Sequence, residues 1–103
     1  MLDIDIDSKH GILFVRLFGK LTKETRRKLN EEVIELISTV GIQNIVINIQ
    51  NLNDIDDQGK KALIKCYKMC DKSLLCINPN QTNIIENLNY VTNEISAINL
   101  IGV

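Results

Sequence analysis

The sequence predicts an α/β domain built on a mixed β-sheet, and three observations carry that prediction. Short runs of strand-type residues alternate with segments of helical period, in the order β-β-α-β-α-β-α-β. The first two strands are separated only by a turn cluster, which makes them an antiparallel hairpin. The third strand is short, β-branched and apolar on both sides, as a central strand of a covered sheet is. At 103 residues the chain is read as one domain, residues 1–103.

Alternation opens the chain. Leu2, Ile4 and Ile6 face one way and Asp3, Asp5 and Asp7 the other, the pattern of a half-buried strand. Ser8 to Gly11 is the turn, and Ile12 to Phe18 is a second, more buried strand ended by Gly19. Thr22 is expected to cap the first helix, with Leu29, Val33, Leu36, Ile37 and Val40 as its inward stripe and Gly41 as its terminator. Ile45 to Ile49 is the central strand, and Gln50 to Asp57 reads as a polar loop.

A second helix is predicted from about Asp57 to Met69 or Cys70. Its inward stripe is Ala62, Leu63, Cys66, Met69 and Cys70, and lysines dominate the rest. Leu74 to Ile77 is a fourth buried strand, stopped at Asn78-Pro79. A third helix is expected over about Gln81 to Leu88, and Ile95 to Leu100 is read as a last edge strand. With Val103 following so soon, no C-terminal helix is expected.

Composition removes several classes of function. Twelve basic against thirteen acidic residues give a formal charge of −1, not the basic balance of a dedicated nucleic-acid binder. Aromatics amount to 4%, and none interleaves the lysines of the second helix, so no stacking platform for bases is visible. No apolar run approaches the ~20 residues of a membrane span, and the acidic start MLDIDID is unlike a secretory signal. The expectation is a cytoplasmic protein. Cys66, Cys70 and Cys76 form no even disulfide framework and read as buried packing. Together with the lone His10 they make an unconvincing metal set, and no cofactor is expected. No nucleophile–base pair or Gly-rich phosphate loop is present, so the chain is read as not an enzyme.

The most informative segment is the acidic loop Asn53-Asp54-Ile55-Asp56-Asp57-Gln58-Gly59, after a central strand and opening a helix. Asp54, Asp56 and Asp57 as a Mg²⁺ or phosphoryl site is one reading. The simpler one is that Asp56 or Asp57 caps the helix while Asp54 is solvated, since capping alone explains an Asp there. A receiver-type phosphoacceptor would also need an acidic pair after the first strand and a Lys on the last, and neither is visible.

From Ile45 through Asp57-Gln58-Gly59 to Leu63, the chain resembles the central block of the STAS domain, the family of bacterial anti-sigma factor antagonists. Val15 to Thr22 and Cys76 to Pro79 resemble two further segments of that family. The resemblance implies a STAS-like fold: a mixed β-sheet with helices packed mainly on one face. It also implies a non-enzymatic interaction module that binds an anti-sigma factor of serine-kinase type. Asp56, Asp57, Gln58 and Gly59 then form the switch loop, with Thr22, Lys60 and Lys61 as candidate partner contacts.

In that family a Ser following the Asp is phosphorylated by the partner, and phosphorylation releases the complex. Here the acceptor position is Asp57, and no Ser or Thr lies between Thr39 and Ser73. Asp has about one negative charge where phosphoserine has about 1.5 to 2, so it is a partial mimic. Two readings stand side by side: Asp57 holds a released, phospho-like state, or a co-adapted partner accepts it. A STAS-type scaffold or ligand-sensing subunit is the alternative function, and self-association through strand edges is compatible with either.

Overall fold

The computed structural model describes residues 1–78 and 88–101. Five strands form one mixed sheet in the order β1-β2-β3-β4-β5. β1 (Leu2–Lys9) and β2 (Ile12–Leu21) pair antiparallel across a tight turn. At that turn both His10 (φ 55°) and Gly11 (φ 74°) are left-handed, as a two-residue hairpin of native twist requires. β3 (Asn44–Ile55), β4 (Lys72–Cys76) and β5 (Tyr90–Val91) each add in parallel to the preceding strand.

The first helix, α1, is continuous but not uniform. Arg26–Leu29 and Glu35–Val40 are α-helical, and Asn30–Ile34 between them is π-helical. The extra residue taken up there shifts the helix phase by one position. Ile34 is therefore buried, Leu36 only half so, and Val40, expected in the inward stripe, is 62% exposed. The helix ends at Gly41, whose N–H donates to Ile37 O at 2.9 Å. α2 spans Asp57–Met69 and α3 spans Glu94–Ile101.

One face of the sheet packs under α1 and α2 through Leu13, Val15, Leu17, Ile45, Ile47 and Ile49 against Leu29, Val33 and Leu63. On the opposite face Ile12, Phe14, Val46, Leu74 and Cys76 meet Ala97 and Ile101 of α3. The predicted α/β class and mixed sheet match this architecture, with two long helices on one face and one short helix on the other among the described residues.

Three expectations are corrected. Residues Gln50 to Ile55 are not a loop but the second half of β3: Phe18 pairs Asn51 and Gly19 pairs Leu52, past irregularities in register. Pairing with β2 and burial of Leu52 outweigh the poor strand propensity of Asn and Asp. Ile95 to Leu100 is not an edge strand but most of helix α3, which supplies the C-terminal helix that was not expected. A short apolar run does not distinguish strand from helix. Here Asn93 decides it by capping: its side chain accepts the Ser96 N–H at 2.8 Å, and Tyr90–Val91 already holds the edge. The third correction is Thr22, which does not cap α1. The helix starts at Arg26, and Thr22 begins the preceding turn, its carbonyl accepting from Arg26 N–H at 2.8 Å. The helix expected over Gln81 to Leu88 lies, apart from Leu88, outside the described residues.

Candidate functional site

The C-terminal ends of β2 and β3 lie side by side, so the β2–α1 turn and the N-terminus of α2 are brought together. Asp56 joins them. Its backbone is extended (φ −98°, ψ −178°), and Oδ1 accepts the Gly59 N–H at 2.8 Å, which caps α2. Oδ2 accepts the Lys23 N–H of the turn at 2.9 Å. The Asp56 N–H donates in turn to Leu21 O at 3.2 Å. Hydrogen bonds from Gly59 and then Lys23 favour the charged carboxylate and hold its pKa below the usual value.

Gly59 is buried against the same turn, and a Cβ there would overlap the Leu21 carbonyl oxygen. Glycine is needed at this position for close approach rather than for a left-handed backbone. A second tie runs between side chains: Arg26 Nη1 donates to Gln58 Oε1 at 2.8 Å. Inside the turn, the Thr25 hydroxyl accepts from Thr22 N–H at 2.8 Å and donates to Lys20 O at 2.8 Å.

The expected site residues thus fall into two groups. Asp56, Gln58 and Gly59 face inward and hold the two elements together. Asp57 and Lys61 are exposed and Lys60 is half exposed, on the first turn and a half of α2. Among the described residues the Asp57 carboxylate has no hydrogen bond or ion pair. It stands at the first position of the helix, where exposed backbone N–H groups and the helix dipole favour negative charge. Thr22 is half buried in the turn and donates its hydroxyl proton to Glu24 at 3.0 Å. Sequence reading missed Lys23 and Arg26, because their partners are 33 and 32 residues away and no local pattern marks them.

A separate polar cluster sits on the α3 side of the sheet. Arg16 of β2 holds Glu94 bidentately, at 2.8 Å from Nε and 2.7 Å from Nη2, and contacts Asp5 at 2.9 Å. Asn48 Nδ2 donates to Glu94 at 2.9 Å. This cluster pins the start of α3 to three strands. Burial pushes the Cys66 and Cys76 thiols up to about 12 and raises Cys70 as well, so none resembles an activated nucleophile. Among the described residues no group of three or more His, Cys, Asp or Glu side chains is placed to hold a metal ion. No helix among them is long and apolar enough to cross a membrane.

A family model described as "STAS domain" matches residues 3–93. An "Anti-sigma F factor antagonist" of Paenibacillus polymyxa is 28% identical over 71 residues, 69% of this chain and 61% of that protein. The match therefore spans less than two thirds of that relative's length. Among solved structures, an anti-sigma factor antagonist from Mycobacterium paratuberculosis has a TM-score of 0.85 at 12% identity, covering 98% of this chain and 94% of that one. The anti-sigma factor antagonist SpoIIAA in its unphosphorylated form has a TM-score of 0.77 at 15% identity, covering 98% and 100%. At these identities the structural likeness speaks for the fold.

Proposed function

The chain belongs to the STAS domain family, and from that premise we propose that it is a cytoplasmic, non-enzymatic antagonist of an anti-sigma factor of serine-kinase type. The partner meets the β2–α1 turn around Thr22 and the first turns of α2, from Asp56 to Lys61. Asp56 and Gly59 are positioning residues that hold the surface together, whereas Asp57, Lys60 and Lys61 are presented to the partner. The antagonist relative of Paenibacillus polymyxa supports the class of partner.

The phosphoswitch is lost. The observation that supports this reading is the exposed, unpaired Asp57 at the first position of α2, a fixed negative charge at the position where the resemblance expects a hydroxyl. Binding is therefore set by the sequence and not by a kinase cycle.

Binding of the purified chain to anti-sigma kinases from the same genome, with ADP and with ATP, tests this beside Asp57→Ser. The expected result is native-chain binding of equal strength in the two nucleotides, with Asp57→Ser binding that weakens in ATP. Binding by Asp57→Ser alone would instead make Asp57 a built-in off state. If neither binds at micromolar concentration, the antagonist role is withdrawn and the fold remains.

A further inference from the structure

The basic side chains divide sharply by environment. Six of the twelve, Lys9, Arg16, Arg26, Arg27, Lys28 and Lys72, each have a hydrogen-bond or ion-pair partner. The other six, Lys20, Lys23, Lys60, Lys61, Lys65 and Lys68, have none for their ammonium groups among the described residues. All six lie on the two elements that Asp56 joins, the end of β2 with its turn and helix α2.

Lys61, Lys65 and Lys68 recur at positions i, i+4 and i+7 and are all exposed, so they form one stripe about 10 Å long on the outer face of α2. Even Asp57, one turn ahead of Lys61, makes no ion pair with it. The positive charge is local, because the chain as a whole carries −1 and α1 exposes Glu31, Glu32 and Glu35.

We infer that the partner's docking surface is acidic, and that the Lys61–Lys65–Lys68 stripe steers it onto the N-terminus of α2. This rests on the reading of the site as a partner-binding surface. A protein surface fits better than nucleic acid: the net charge is slightly negative and aromatics amount to 4% of the chain. Exposed ion pairs contribute little to affinity after screening, whereas a field of one sign accelerates encounter. The stripe therefore acts on the association rate and leaves dissociation largely to the contacts around Asp57.

The test uses the anti-sigma kinase that binds the native chain and compares Lys65→Glu/Lys68→Glu, which leaves the contact residue Lys61 in place, with the corresponding double Arg variant. Glu and Arg both favour helix, so the exposed face folds in either variant. The Glu variant is expected to associate at least about tenfold more slowly at low salt, with dissociation within about threefold and the difference lost near 0.5 M salt. The Arg variant keeps the native rate. An unchanged association rate in the Glu variant overturns the inference while the antagonist reading stands.

If no anti-sigma kinase binds, that reading fails and the stripe is judged by itself. The ¹⁵N-labelled native chain is then titrated with poly-L-glutamate, duplex DNA and phosphatidylserine vesicles. Shifts confined to residues 20–25 and 57–69 with poly-L-glutamate, absent in the Glu variant, support an acidic protein partner. Scattered or no shifts, or tighter binding of DNA or vesicles, overturn it.

Discussion

The carboxylate of Asp56 accepts the backbone N–H of Lys23, 33 residues away, at 2.9 Å while capping its own helix through Gly59 at 2.8 Å. One side chain thus fixes both the start of α2 and the position of the turn that flanks it. Asp56→Ala is expected to speed amide exchange at Lys23 and Gly59 by about tenfold, with Leu63 in the core little affected. Asp56→Asn, which keeps an acceptor, falls between.

The same bonds set a pH dependence. The pKa of Asp56 is lower in the folded chain than in the unfolded one, first through Gly59 and then through Lys23. Its stabilising contribution is therefore complete above the ordinary carboxylate value and fades as pH falls through the lower folded value. Protection of the Lys23 and Gly59 amides is expected to be flat from pH 7 to about 5 and to decline below about 4.

Gly59→Ala places a methyl group against the Leu21 carbonyl oxygen, which is backbone and bonded to Asp56 N–H, so it cannot turn aside cheaply. Urea denaturation is expected to show a loss of about 1–3 kcal/mol. Asp57→Ala, on the exposed side of the same turn, is expected to change stability by less than about 1 kcal/mol while altering partner binding.

Arg16 and Glu94 make a bidentate pair with both side chains about one-quarter exposed. Glu94→Gln leaves Arg16 only partly paired and is expected to cost about 1–3 kcal/mol, with the largest rise in amide exchange over residues 94–101. The pKa of Glu94 is lowered chiefly by Arg16, so the native pair is complete above the ordinary carboxylate value and weakens as pH falls through the lower folded one. The Gln variant loses this acid sensitivity.

Burial keeps the Cys66 and Cys76 thiols protonated well above neutral pH. At pH 8, Ellman's reagent is expected to label the half-buried Cys70 first, and Cys66 and Cys76 only on unfolding.

The parts of the fold legible in the sequence were those with an unbroken period. Leu2, Ile4 and Ile6 gave β1 its buried face, and Ala62, Leu63 and Cys66 gave α2 its own. Where tertiary pairing governs, the pattern misled: Asn51 and Asp54 look like loop residues but pair with Phe18 and Lys20 and extend β3 beside β2. The phase shift of the π-helical turn at Asn30–Ile34 left no mark, and Val40 was misplaced as a result. At the site, Asp56 was readable because a helix cap is local. Its bond to Lys23 and the Arg26–Gln58 pair were not, since both depend on how two distant segments dock.

In the proposed antagonist, Asp57 fixes the charge of the switch position. Intact mass measured after incubation with a binding anti-sigma kinase and ATP tests it most directly, beside Asp57→Ser. The native chain is expected to gain no phosphate and stay bound, whereas Asp57→Ser is expected to gain about 80 Da, one phosphoryl group, and be released. Phosphate on the native chain, or its release in ATP, would show that the switch still operates.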